Sequence, residues 1–167
     1  MNLITTSKSL IFSLLISAVS TAAQADFIGK VVRISDGDTI TVLNKQNEQI
    51  RVRFNQIDAP ESSQAFGQKS RQNLGYLHQT FVYVQENSKD RYGRTLGTIY
   101  QLQNGQVPKL NINNSVNLKQ VKDGYAWAYR EYLKDQVFII AETNARNKKI
   151  GLWADPNPIY PSQYRRK

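Results

Sequence analysis

The chain has no cysteine and a single histidine in 167 residues. Without cysteine there are no disulfides, thiolate nucleophiles or cysteine-ligated metals, so the fold is held by its core alone. One histidine excludes a multi-histidine zinc site, and His78 falls near the end of a predicted helix, a structural or solvated position. Any metal must then be bound by oxygen, which means a hard cation such as Ca²⁺ or Mg²⁺. Acids are also scarce, with 13 Asp and Glu against 22 Lys and Arg and a net charge of +9. That surplus favours polyanions and helps steer them, although charge alone does not identify a partner.

Long apolar runs are limited to Leu10–Val19, which follows Lys8 and precedes Ala23-Gln24-Ala25. The run is short for a bilayer span, and the small-x-small tripeptide is a signal-peptidase site. Residues 1–25 are therefore expected to be a cleaved signal peptide, the alternative being an uncleaved anchor. Cleavage removes Lys8 and no acid, lowering the net charge from +9 to +8. The product, residues 26–167, is expected in the periplasm or outside the cell as a monomer without stable membrane association. About 140 residues suit one domain with one core.

Phe27–Ile34 and Thr39–Leu43 read as strands around the Asp36-Gly37 turn. Gln49–Ile57 alternates, with Ile50, Val52 and Phe54 on one face and Arg51, Arg53 and Asn55 on the other. Arg53 is thus predicted to leave the apolar side, free to meet a ligand. Ser62 or Ser63 can cap a helix reaching about His78, with Phe66, Leu74 and Leu77 towards the core. Phe81–Glu86 and Thr95–Leu102 are further strands, and helices are expected over Asn113–Lys122 and Asp135–Lys149, stopped by Gly124 and Gly151. Trp153–Lys167 holds three of the five prolines and is expected to be extended, ending in a solvated basic tail at Arg165-Arg166-Lys167. The pattern is one α+β domain, strands early and helices late.

Four of the few acids gather in Ser35-Asp36-Gly37-Asp38-Thr39 and Ile57-Asp58-Ala59-Pro60-Glu61. Carboxylates brought together need a cation or a shared proton. Asp38 and Asp58 are the best ligand candidates, each at a strand–turn boundary where a backbone carbonyl can join. Asp36 and Asp38 also read as ordinary turn residues. Two acids around Pro60 are more specific, because a turn needs neither. Arg53 and Arg94 suit an anion, since the planar guanidinium stays charged and grips two phosphate oxygens. Carboxylates for a metal beside arginines for a phosphate suggest phosphodiester chemistry, with Glu61 as general base or water-orienting group.

The blocks Val32–Thr39, Arg53–Glu61, Asp90-Arg91-Tyr92-Gly93-Arg94, Val121–Trp127 and Gly151-Leu152-Trp153 resemble the signatures of the staphylococcal nuclease (thermonuclease) family. They span nearly all of residues 27–165 in order. The resemblance implies a five-stranded OB-type β-barrel with three α-helices that hydrolyses DNA and RNA, single-stranded or frayed substrate being favoured. It also implies Ca²⁺ as cofactor, with Mg²⁺ or Mn²⁺ as alternatives, and 3′-phosphate products. Carried over by position, Asp38, Asp58 and the carbonyl of Ala59 bind the metal, and Glu61 handles the attacking water. Arg53 and Arg94 bind the scissile phosphate, while Asp90, Arg91, Tyr92 and Tyr129 are substrate-binding candidates. The family's best-known member has Thr in place of Ala59 and a longer loop after the glutamate.

Tyr132 is a weaker stacking candidate. Trp127 and Trp153 read as core or helix anchors, and Ser62 and Ser63 lack a histidine base that would make them nucleophiles. A catalytically silent OB-type binding module is the competing reading, against which stands the full set Asp38, Arg53, Asp58, Glu61 and Arg94. A carboxylate-pair glycoside hydrolase explains two acids but neither the arginines nor the charge.

Overall fold

Alternating apolar residues drive five strands to close on a common interior, where Val31, Ile40, Val42, Val52, Phe54, Val82, Val84 and Ile99 lose nearly all contact with solvent. The computed structural model describes residues 25–166, so the expected signal peptide lies outside the described residues except for Ala25. The elements, in chain order, are β1 (Phe27–Ile34), β2 (Thr39–Asn44), β3 (Gln49–Phe54), β4 (Ile57–Asp58), α1 (Gly67–Asn73), β5 (Phe81–Lys89), β6 (Thr95–Gln101), α2 (Val116–Lys122), β7 (Trp127–Ala128), α3 (Val137–Asn147) and α4 (Pro161–Tyr164). Strands β1-β2-β3-β6-β5 form the closed barrel, with β3 and β6 parallel and the other neighbours antiparallel. The short β4 and β7 pair separately. Among the described residues no helix is long and apolar enough to cross a membrane.

The predicted five-stranded barrel is therefore present, but four α-helices stand where three were expected. The extra one is α4, inside the tail expected to be extended. Pro161 opens it at a helical N-terminal position, where a missing N–H is harmless and the fixed φ is already helical. The helix expected from Ser62 or Ser63 begins only at Gly67, and neither serine caps it. Instead Gln64 turns inward, accepting from Glu61 N at 3.2 Å through its side chain and donating to Ile159 O at 2.5 Å. Phe66 then takes a left-handed φ of 66°, which delays the helix. Strand β3 stops at Phe54 instead of continuing to Ile57, because Gln56 also has positive φ, 63°. Ser115 caps α2 by accepting from Leu118 N at 3.1 Å, so the helix starts there and not at Asn113.

The β1–β2 turn and strand β7 are each held by packing from behind. Gly37 lies against α1, where a Cβ would stand 1.7 Å from Ser70 Oγ, so only glycine fits. Gln120 of α2 donates to Gly37 O at 3.1 Å and to Ser70 O at 2.8 Å, clamping the turn between two helices. Behind β7, a second cluster joins Trp127, Ala145, Leu152 and Trp153, with Trp127 edge-on to Trp153 at 5.1 Å and to Tyr160 at 5.7 Å. Both tryptophans are core residues, as expected.

Glu142 of α3 is a buried carboxylate that holds β7 in place. It accepts from Ala128 N at 2.8 Å, and Arg130 and Arg146 donate to it at 3.2 and 2.8 Å. Glu142→Ala strands the Ala128 N–H and opens a void, so it should lower unfolding free energy by about 2–3 kcal/mol. Chemical denaturation measures this, and an unchanged midpoint would contradict the assigned role.

Candidate active site

The barrel register brings an acid and a base together at one rim. Thr39 of β2 pairs with Arg53 of β3, and Phe54 N donates to Asp38 O at 2.8 Å. Asp38 therefore stands beside the Arg53 side chain. Asp58 arrives from the other direction on β4, where it pairs with Trp127 of β7. Arg53 bridges the two acids, with Nη1 3.0 Å from Asp38 Oδ1 and Nη2 2.9 Å from Asp58 Oδ1. Asp38 Oδ1 also accepts from Thr39 Oγ1 at 2.9 Å, and its Oδ2 accepts from Ala59 N at 2.9 Å. The alternation of β3 thus put Arg53 on the correct side, but its fork is engaged, not free.

These charges are buried together. The Asp58 side chain has 0% exposure, Asp38 4% and Arg53 16%. Burial pushes the Asp58 carboxyl above its ordinary range, Arg165 and Arg53 pull it down, and Asp38 adds to the rise. Asp36, whose Oδ1 accepts from Asp38 N at 3.0 Å, is raised to about 7 by burial and then by the Asp38 charge. Burial opposes charge on Arg53, but Asp38 and Asp58 outweigh it and hold the guanidinium protonated.

Arg94 is prepared differently. It sits on the β5–β6 turn with Asp90, whose Oδ1 accepts from Tyr92 N and Arg94 N, both at 2.9 Å. Asp90 Oδ2 accepts from Arg94 Nε at 2.7 Å, which orients the guanidinium while sparing its Nη groups from that bond. Desolvation raises the Asp90 carboxyl, but the hydrogen bonds from Arg94 and Tyr92 N outweigh it and keep the group below its ordinary range. Asp90, a substrate-binding candidate, lines the groove and also supports Arg94. The ring of Tyr92 lies under Arg91 and Arg94, at 4.8 and 5.7 Å, and is 69% exposed. Across the groove Tyr129 meets Tyr132 edge-on at 4.8 Å, with Arg53 6.0 Å from the Tyr129 ring. Gln56 fixes that side, accepting from Lys134 N and Asp135 N at 2.7 and 2.8 Å.

Asp36, Asp38, Arg53, Ala59, Glu61, Arg91, Tyr92, Arg94, Tyr129 and Tyr132 all line one groove of about 940 Å³. Asp58 does not line it but lies buried behind it, paired with the lining residues Arg53 and Arg165. The acids and arginines selected from sequence therefore come together, though they are scattered along the chain. Ala59 contributes its N–H to Asp38 in this arrangement, where its carbonyl was the group expected to serve a metal.

Arg165 departs from expectation. Assigned to a solvated tail, it instead reaches into the groove, with Nη1 2.6 Å from Glu61 Oε1 and Nη2 3.1 Å from Asp58 Oδ2. No local pattern marks it, because its position depends on where the proline-rich segment before it docks. Asp36 was visible among the clustered acids but had no role assigned.

The donor set suits a hard divalent cation: all available ligands are oxygens, and two buried carboxylates converge on one arginine. Asp38 and Asp58 supply that pair; among the described residues no third acid or histidine completes a metal-holding cluster with them. Remaining coordination would fall to backbone oxygen, water or substrate, as is common for ions of this class.

A family model described as "Staphylococcal nuclease homologue" matches residues 51–155, from β3 to just past the second aromatic cluster. An uncharacterized endonuclease of Haemophilus influenzae is 48% identical over 96% of this chain and 86% of its own length. A micrococcal nuclease of Shigella flexneri is 51% identical over 89% and 86%, and protein ParB of Escherichia coli is 43% identical over 93% and 88%. Barrel, groove and these likenesses agree: the chain belongs to the staphylococcal nuclease family.

Proposed function

We propose that the protein is an exported nuclease that hydrolyses DNA and RNA phosphodiesters with Ca²⁺ as cofactor and little sequence preference. A nuclease of this family is what its relatives support. The observation that carries the mechanism is the meeting of Asp38, Arg53, Asp58, Glu61 and Arg94 at one groove. Export to the periplasm or beyond rests on residues 1–25.

Hydrolysis adds water to phosphorus, breaks the bond to the 5′ oxygen and leaves a 3′-phosphate. Glu61, on the groove wall, takes or orients the water proton. Arg53 uses two of its five N–H groups on the acids, and the others remain to donate to phosphate oxygens. Arg94, oriented by Asp90, approaches from the opposite strand turn and stabilises charge that grows in the transition state. Ca²⁺ held by Asp38 and Asp58 would neutralise phosphate charge there. Exposed Tyr92 and Tyr132 at the rim suit stacking on unpaired bases, which favours single-stranded or frayed substrate. The protein is expected to act as a monomer.

Glu61→Gln and Arg94→Ala should each reduce turnover on denatured DNA by about two to three orders of magnitude, with an unchanged folding transition. Near-normal rates in both would remove this mechanism.

Asp36 sets a pH dependence in the metal-free protein. Its folded carboxyl holds a proton up to about 7 against 3.8 ordinarily, so the native state binds more protons than the unfolded one between these values. Stability should therefore fall as pH rises across that window. Thermal melts in EDTA at both ends should show a smaller fall for Asp36→Asn than for the wild type; parallel slopes would refute the assignment.

A further inference from the structure

The segment after Asp155 is fastened to the groove at several points. Tyr160 packs on Trp127, Pro161 is buried, and Ile159 O accepts from Gln64 Nε2 at 2.5 Å. Tyr164 then donates its hydroxyl to Ser63 O and Oγ at 3.2 and 3.1 Å. Both Gln64 and Ser63 belong to the stretch after Glu61, so the strap and the groove wall are tied together. Arg165 comes next, and these ties set its backbone beside the groove wall while its side chain keeps its own freedom.

Its guanidinium meets Asp58 as a fork, Nη1 to Oδ1 at 3.3 Å and Nη2 to Oδ2 at 3.1 Å, while Nη1 also reaches Glu61 Oε1 at 2.6 Å. Arg53 already donates to Asp58 Oδ1. Both oxygens of Asp58 are thus engaged, and a cation that approaches them competes with the arginines. Arg53 is held in barrel strand β3 and 16% exposed, whereas Arg165 is on a terminal strap and 39% exposed. Arg165 is the partner that can move. Charge leads to the same result. Asp38, Asp58 and Glu61 face two guanidinia; without Arg165 they face only Arg53, a deficit of two charges that a divalent ion balances.

We propose that Arg165 is a resident cation of the active site, holding Asp58 and Glu61 together and giving up Asp58 when a divalent ion binds. The C-terminal strap is then a gate on metal loading, and this rests on the reading of Asp38 and Asp58 as the metal ligands. Arg165 acts as a positioning residue, through the two acids.

The test is calorimetric titration of Ca²⁺ into the mature protein, Arg165→Gln, a chain ending after Tyr164, and Asp58→Asn, with circular dichroism confirming folding. Both Arg165 variants should bind Ca²⁺ about fivefold more tightly than the wild type, as expected for release of one partly exposed ion pair. Asp58→Asn should abolish binding. Equal or weaker affinity in the two Arg165 variants, with binding still lost in Asp58→Asn, would overturn the gate and leave the metal site standing. Absence of binding in every chain would overturn both, and DNA cleavage by the wild type in EDTA would then show whether a metal-free nuclease remains.

Discussion

A half-buried arginine shared by two buried aspartates is the constraint on which the rest of the structure depends. Charges removed from water are tolerated only when their partners are held in register, and here the holding is distributed over most of the fold. The β2–β3 ladder sets Asp38 beside Arg53, and the β4–β7 pair sets Asp58. Helices α1 and α2 clamp the Gly37 turn through Ser70 and Gln120. Helix α3 supports β7 through Glu142, and the tryptophan cluster backs the same strand. Elements remote from the groove are thus accounted for by one electrostatic requirement at its floor.

A basic protein with an acidic centre divides its electrostatics by distance. The surplus of Lys and Arg suits a polyanion approaching from afar, while the groove gathers buried carboxylates each paired with an arginine. The two groove arginines Arg53 and Arg94 are also held differently. Arg53 is fixed by buried acids, whereas Arg94 is aimed by the more exposed Asp90 on a turn. The first is part of the scaffold and the second is a positioned arm.

Much of this is legible in the sequence because it is local. Strand alternation places Val52 and Phe54 inside and Arg53 opposite, and turn chemistry locates the acids around Gly37 and Pro60. The family's spaced motifs then imply the barrel. The features that sequence conceals depend on contacts distant along the chain. Ser62 and Ser63 look like helix caps, but Gln64 is drawn to Ile159 and postpones the helix to Gly67. The prolines of the tail suggest extended chain, yet Pro161 starts a helix once Tyr160 is docked on Trp127. Arg165 looks like a solvated charge and only the docked strap delivers it to Asp58. Gln56, Gln120 and Glu142 give no signal at all, since a buried polar side chain becomes structural only when its distant partners are known.

The most direct test of the central claim is digestion of heat-denatured DNA by the purified protein in Ca²⁺, in Mg²⁺ and in EDTA, with end analysis of the products. Ca²⁺-dependent fragments carrying 3′-phosphate ends are the expected result. Intact DNA in all three conditions, with binding still visible by gel shift, would contradict it and leave an OB-type binding module in its place.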